Sequence, residues 1–206
     1  MPPMPTSAIE EPFNREALRK RRRDAILRAA ASAFSRSGFH NTSMEDIATV
    51  LSVAKPTLYK YFPNKETLLY ECHQLAMNYG DTALVNAKQQ GENGLAKLKI
   101  FTYQFMCALF GEFGACPVLT DVDSLAPAER EVVLARRAEI SHALRDLISE
   151  GIKDGSILPC DPKLTSLFVL GVLNWIPVWF RYDGERPGLE IAAEFNTMFD
   201  RAFAAR

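Results

Sequence analysis

Apolar residues in the first part of the chain recur at the spacing of one helix face. Ile26, Ala30 and Phe34 stand at i, i+4 and i+8, and residues at that interval line up along one side of an α-helix. Gly38 then offers a signal for the helix end. The pattern therefore predicts a first helix over residues 16–37.

Two short helices are predicted next. Thr42 to Glu45 has the sequence of a capping box, in which the Thr42 hydroxyl accepts a backbone N–H and Glu45 reaches back to the cap. A second helix runs from there to about Leu51. The segment from Lys55 to Tyr61 allows about two turns before Pro63 ends them, which is too short for a helix that is stable alone. The third helix is therefore expected to pack against the second and to expose its polar side chains.

The rest of the chain shows helical patterns with few breaks and no strand signals. Connections rich in Gly, Pro or Asp separate the predicted helices. These helices cover residues 65–90, 95–112, 128–153, 163–182 and 189–204. The sequence therefore predicts an all-α protein.

The net charge of −1 hides an asymmetry between the two parts of the chain. Residues 1–66 carry 11 Lys and Arg against 7 Asp and Glu, a balance of +4, and the remainder carries 13 against 18, a balance of −5. Neutralising a polyanion takes local positive charge, so a basic front end on an acidic body suits a nucleic-acid-binding head. A solvated basic helix start at residues 19–23 explains the charges equally well.

Composition and residue spacing argue against several other classes. No apolar run reaches the roughly 18 residues of a membrane span, and residues 1–15 lack the pattern of a signal peptide, so we expect a soluble cytoplasmic chain with a disordered tail over those residues. The histidines and cysteines lack metal-ligand spacing, so no metal and no cofactor is expected, and the thiols are expected to be reduced and buried. The cysteines are Cys72, Cys107, Cys116 and Cys160.

The string from Thr42 to Leu69, TSMEDIATVLSVAKPTLYKYFPNKETLL, resembles the DNA-binding signature of the TetR family of transcriptional regulators. The Asp-Ile-Ala, Thr-Leu-Tyr and Phe-x-x-Lys steps stand at the family spacing. The resemblance implies a three-helix helix-turn-helix domain over residues 16–66, with Lys55–Tyr61 as the recognition helix in the major groove. It also implies a helical-bundle ligand-binding and dimerisation domain over residues 67–206.

The resemblance also implies roles for individual residues at the DNA. Lys55 and Thr57 match positions that reach base edges or nearby phosphates, and Tyr59 and Lys60 match positions that touch the backbone. Thr42 would cap the second helix beside a phosphate. The candidate DNA-binding set is Thr42, Ser43, Lys55, Pro56, Thr57, Tyr59, Lys60, Tyr61 and Lys65.

Two residues depart from the family pattern, and two have a second interpretation. Ser52 stands where Gly is usual in the turn, at a cost of roughly 1 kcal/mol if its backbone is left-handed. Ala54 replaces a capping Ser, which weakens the third helix by about 1 kcal/mol. Tyr59 and Tyr61 could pack into the core instead of contacting DNA.

The helix around residues 100–110 is apolar over most of its circumference, so it lines either a plain core or a cavity. The family resemblance implies an effector pocket there. It also implies that the last two helices pair with those of a second subunit, giving a homodimer with two recognition helices for a palindromic operator.

A second resemblance, to the acyl-coenzyme A-responsive branch of the family, lies in residues 170–175 (LGVLNW) and the Trp179-Phe180-Arg181 run. Coenzyme A requires cationic partners for its phosphates. Asn174 and Trp175 could alternatively pack the dimer helix. The candidate ligand-binding residues are Phe101, Phe105, Phe110, Arg137, Asn174, Trp175 and Trp179.

The two resemblances together imply a repressor that a hydrophobic effector, such as an acyl-coenzyme A thioester, releases from DNA. A multidrug-sensing efflux repressor is the alternative within the class, and its pocket would require carboxylates for cationic drugs. A helix-turn-helix reused for protein contacts would not bind duplex DNA in a salt-dependent way. An enzyme is not expected, because the sequence has no nucleophile motif and no Gly-rich phosphate loop.

Overall fold

The computed structural model describes residues 7–111, 121–181 and 183–205, without the side chains of residues 7–14 and 35. Within these ranges the chain is helical apart from its connections and one isolated bridge between Ile157 and Ala204, which confirms the all-α prediction. The helices are α1 (Ser7–Ser37), α2 (Met44–Val50), α3 (Lys55–Tyr59), α4 (Lys65–Gln90), α5 (Gly94–Phe110), α6 (Pro127–Asp154), α7 (Pro162–Trp179) and α8 (Gly188–Phe203).

Side-chain caps define several of the helix starts. Asn64, Asn93 and Asp161 each accept a backbone N–H from the first turn of the helix that follows. The structure gives α4 the predicted bounds, and α5 to α8 each begin one residue before their predicted starts. Local cap chemistry thus accounts for the starts of α4, α5 and α7, whereas the N-caps of α6 and α8, Ala126 and Pro187, make no side-chain cap hydrogen bond.

Several predicted bounds are wrong, among them the end of α3, which lies at Tyr59 instead of Tyr61. α1 begins at Ser7 instead of residue 16, so the expected disordered tail is helical over residues 7–15, and residues 1–6 lie outside the described residues. α7 ends at Trp179 instead of residue 182, because Phe180 has an extended backbone and Pro177 has no N–H to stabilise the last turn. The predicted end of α5 at Glu112 also lies outside the described residues, and α5 itself ends at Phe110.

The buried apolar residues form two clusters. The head core joins α1, α2, α3 and the start of α4, and it includes Leu125 and Val133 from the beginning of the α6 region. The body core joins the rest of α4 to α5, α6, α7 and α8. α4 contributes Leu68 and Cys72 to the head core and Leu84, among other residues, to the body core. The helix continues through residue 66 and belongs to both cores.

α5 is the central helix of the body and packs against α4, α6, α7 and α8. Its first turn lies directly on α6: Gly94 donates its N–H to Asp154 Oδ2 (2.8 Å), and a Cβ at Gly94 would overlap the backbone of Gly151. At the other end of the body, Leu158 N donates to Phe203 O (2.9 Å) and Ala205 N to Ser156 O (3.1 Å). The α6–α7 connection is therefore tied to the end of α8.

The cysteines are only partly as expected. Cys72 is buried, Cys107 is half-buried and Cys160 is exposed, all three as free thiols, whereas Cys116 lies outside the described residues. The expectation of a buried thiol is therefore wrong for Cys160. Among the described helices, none has the length and apolar character needed to cross a bilayer.

Candidate DNA-binding surface and effector region

The cap of α2 is formed by Ser43, not by Thr42. Ser43 Oγ accepts the Asp46 N–H (3.1 Å), and Asp46 Oδ2 accepts the Ser43 N–H (2.8 Å), which makes a reciprocal capping box. Hydrogen bonds from the Ser43 side chain and backbone lower the pKa of Asp46. Thr42 is buried instead and donates its hydroxyl to Gly38 O (2.8 Å), so its predicted capping role is wrong.

The turn between α2 and α3 has the left-handed backbone at Ser52 that the sequence analysis considered. Ser52 has a φ of 54°, the left-handed region that costs a non-glycine residue about 1 kcal/mol or more. Ala54 is the N-cap of α3 and makes no side-chain cap hydrogen bond. Leu58 and Phe62 anchor the helix in the head core, whereas Val53 is exposed.

Four of the nine candidate DNA-binding residues lie in α3, and Lys60 follows directly after it. Lys55, Pro56, Tyr59 and Lys60 are exposed, and Thr57 is half-buried. Lys55 Nζ lies 3.2 Å from Glu45 Oε2 of α2, an exposed ion pair that a phosphate can replace at low cost.

Two of the candidate residues have structural contacts. Tyr61 is half-buried and packs against the head core. Lys65 Nζ donates to Phe39 O (3.1 Å) and Thr42 O (3.2 Å) and lies 4.4 Å above the Phe39 ring. Lys65 therefore joins the start of α4 to the loop before α2, and only part of its donor capacity remains for a phosphate.

Three of the candidate ligand-binding residues lie in the body core on α5. Phe101 and Phe105 are buried and stack on each other, with ring centroids 5.8 Å apart. Phe110 at the end of α5 contacts Phe180, with ring centroids 4.5 Å apart. The α5 aromatic residues therefore fill a core in this conformation.

Arg137 lies between α4 and α6, where its Nη2 is 3.3 Å from His73 Nδ1. Since a guanidinium only donates, His73 Nδ1 is the acceptor, and the ring proton lies on the buried Nε2. Burial, and after it the charge of Arg137, lowers the pKa of His73 from 6.5 to about 4. His73 was missed by the sequence analysis, and its helix position alone carried no signal of this contact.

Trp179 lines an open groove between the end of α7 and α8. We call it the C-terminal groove; its volume is about 470 Å³, and Trp179, Phe180, Arg181, Arg186, Glu194, Phe195 and Met198 are among its lining residues. Because Phe180 contacts Phe110, the groove adjoins the end of α5. The sequence analysis missed Arg186, which lies in a connection without helical pattern.

Asn174 and Trp175 are exposed on α7 and are not brought together with the α5 phenylalanines. Their side of α7 continues onto α8 through ring contacts between Phe168 and Phe203 (6.1 Å) and between Trp179 and Phe195 (6.0 Å). We call this surface the α7–α8 face. Its exposed apolar residues outside the C-terminal groove are Leu164, Leu167, Phe168, Trp175 and Leu189.

The helical head and body both match known protein families. Residues 26–72 match the family described as bacterial regulatory proteins, tetR family, and residues 91–203 match the tetracyclin repressor-like C-terminal domain. The chain belongs to the TetR family. As a TetR-family protein it is a DNA-binding transcription regulator and not an enzyme, and the head is its helix-turn-helix domain.

Individual TetR-family relatives align over most of the chain. The HTH-type transcriptional regulator YhgD of Bacillus subtilis strain 168 is 30% identical over 177 residues, 82% of this chain and 88% of YhgD. The crystal structure of PfmR from Thermus thermophilus has a TM-score of 0.75 and 29% identity and covers 85% of this chain and 97% of PfmR. AibR, in complex with isovaleryl coenzyme A and operator DNA, has a TM-score of 0.72 and 26% identity, with coverage of 86% and 97%.

Substitutions on α3 are expected to weaken operator binding without unfolding this TetR-family head. Lys55→Ala should reduce affinity about tenfold and lower the salt slope by about one unit per subunit, because each bound subunit loses one phosphate contact. Tyr59→Phe should weaken binding several-fold through the lost hydroxyl. Fluorescence anisotropy with an operator duplex at several salt concentrations measures both effects.

Lys88→Ala, at the far end of α4, is the matched control for the charge change. Lys65→Ala is less informative, because it also removes the contacts to Phe39 and Thr42. Binding that is unchanged in both α3 variants would contradict the assignment of this surface.

Proposed function

We propose that this TetR-family regulator is a homodimeric repressor that binds a palindromic operator and is released by an acyl-coenzyme A thioester. The head, with α3 in the major groove, supplies the DNA contacts. The α7–α8 face supplies the dimer interface, and the C-terminal groove supplies contacts to the effector.

The exposed apolar α7–α8 face is the observation that supports a homodimer. On α7, the polar Thr165 and Ser166 are buried while Leu164 and Phe168 are exposed, the reverse of the pattern expected for a helix that faces water. A second copy of the same face would cover these residues in an isologous contact. Such a dimer holds two α3 helices at a fixed separation, as a two-fold operator requires.

The chemistry of the C-terminal groove supports an effector with both apolar and anionic parts. Trp179, Phe195 and Met198 supply an apolar wall, and Arg181 and Arg186 supply cations at the rim. Guanidinium groups bind phosphate oxygens through paired N–H donors. AibR, which shares the fold at 26% identity, was crystallised with isovaleryl coenzyme A, an effector of this chemical class.

Glu185 and Glu194 also line the groove, and they favour a lipophilic cation as a second candidate effector. A carboxylate beside an apolar wall attracts a cationic drug. A regulator that responds to such a drug would be an efflux repressor. The two candidates differ in the sign of the ligand charge and are therefore distinguishable by titration.

Calorimetric titration of the full chain with isovaleryl-coenzyme A, longer acyl-coenzyme A thioesters, the free acids and a cationic dye is expected to show binding of thioesters alone. The same thioesters should dissociate the protein from its operator, because a ligand that prefers one conformation shifts the population towards it. Arg181→Gln with Arg186→Gln should weaken thioester binding about tenfold, since charge-assisted contacts to phosphate are lost.

Lys88→Gln is the control for the loss of a surface cation and should leave thioester binding unchanged. Arg137→Gln tests the other cationic candidate, which lies between α4 and α6 instead of in the groove. A dye that binds while every thioester fails would establish the efflux interpretation and overturn the acyl-coenzyme A proposal.

A further inference from the structure

α1 extends well beyond the head core at its N-terminal end. The helix begins at Ser7, yet the first buried residue described along it is Ile26. Residues 15–22 are all exposed, so this part of α1 contributes nothing to the packed interior. Burial in the protein core does not stabilise this helical segment, so its helical structure needs a different explanation.

The exposed segment is strongly basic. Residues 15–23 contain six Lys and Arg and one acidic residue, Glu16, a local balance of +5. Arg15, Arg19 and Arg22 stand at i, i+4 and i+7, so they form one stripe along the helix, which we call the α1 stripe. From Arg15 to Arg22 this stripe is about 10 Å long at 1.5 Å per residue.

Arg23, one residue after the stripe, contacts the head at two points. Its guanidinium lies 5.0 Å above the Phe62 ring and 2.6 Å from Glu71 Oε1. Phe62 comes three residues after the last residue of α3, so this contact places α1 beside the C-terminal end of the recognition helix. The α1 stripe therefore starts next to the DNA-facing helix and continues outward from it.

We infer that the α1 stripe is a second DNA-contacting surface, which binds the phosphates of duplex flanking the sequence that α3 contacts. Charge complementarity supports this occupant: duplex DNA carries about one negative charge per 1.7 Å of its axis, and the stripe presents Arg side chains within reach of several. Such contacts add affinity and no base specificity. The inference rests on the proposed role of α3, because the stripe is located relative to that helix.

The test uses the full chain and the duplex that it selects from a random library. Arg19→Gln with Arg22→Gln should lower the slope of log affinity against log salt by about 3.6 units, because the dimer loses four phosphate contacts at about 0.9 each, and weaken binding at low salt by at least tenfold. Shortening the duplex until it ends at the outer edges of the sequences that α3 contacts should weaken binding of the wild-type protein. The same shortening should leave the affinity of this variant nearly unchanged. Arg19→Lys with Arg22→Lys keeps the charge and should restore the slope.

Lys88→Gln with Lys153→Gln removes the same charge from exposed positions in the last turns of α4 and α6 and is the matched control. If the stripe variant has the slope of this control while Lys55→Ala still weakens binding, the inference is wrong and the role of α3 stands. If Lys55→Ala also has no effect, the role of α3 fails as well. A stripe that instead binds acidic vesicles, with no effect of duplex length, would also overturn the inference.

Discussion

Phe168→Asp is expected to convert the proposed dimer into a monomer and to lower operator affinity by about a hundredfold or more. Phe168 is 56% exposed in a single chain, so a carboxylate there remains hydrated and costs the monomer little. In the dimer the same carboxylate would be buried against apolar residues without a partner, which costs several kcal/mol in each subunit. A monomer binds one half-site at a time and loses the gain from linked binding.

Sedimentation equilibrium measures the association state, and anisotropy with full and half operators measures the loss of linked binding. Val85→Asp is the matched control, because Val85 is 52% exposed but lies on α4, away from the α7–α8 face. The control should remain a dimer. A Phe168→Asp protein that still dimerises would show that a different surface joins the subunits.

Gly94→Ala is expected to destabilise the body by about 3 kcal/mol, a large effect for one methyl group. The added Cβ would overlap the backbone N and Cα of Gly151 and approach Leu147 O, and backbone atoms cannot rotate away as a side chain can. α5 and α6 would have to separate, which also strains the hydrogen bond from Gly94 N to Asp154. Urea unfolding followed by circular dichroism gives the change in free energy.

Gly171→Ala is the contrasting substitution, since a Cβ at Gly171 meets nothing within 4 Å. In the interior of α7 it should stabilise the chain by about 0.5–1 kcal/mol through helix propensity. Because Gly171 lies on the α7–α8 face, this comparison is made in the Phe168→Asp background. Equal stability of Gly94→Ala and the parent would refute the close approach of α5 to α6.

Helix bounds followed from sequence wherever one local signal was decisive. Asn64 and Gly91 bracket α4, and the helix has the bounds those residues suggest. Around α2 the signals overlap, because Thr42 with Glu45 and Ser43 with Asp46 both fit the capping-box pattern. The choice between them depends on the burial of Thr42 against the end of α1, a tertiary contact that a local pattern does not contain.

The candidate effector residues were harder to place for a related reason. An apolar residue on a helix indicates that something covers it, but not whether this is the same chain, a ligand or a second subunit. Phe101 and Trp175 are both aromatic residues in apolar helices, yet the first is fully buried and the second is 59% exposed. Only the packing of α5 against its four neighbours separates them.

The sharing of α4 between the two cores limits how this regulator can be recombined with others. A chimaera that joins residues 1–66 of this chain to the body of a relative would keep Lys65. It would replace Leu68, Cys72, Leu125 and Val133, which all belong to the head core. A transplantable DNA-binding module therefore consists of α1 to α3, the first turns of α4 and the matching surface at the start of α6. Exchanging DNA specificity between relatives therefore requires that all of these segments are transferred together.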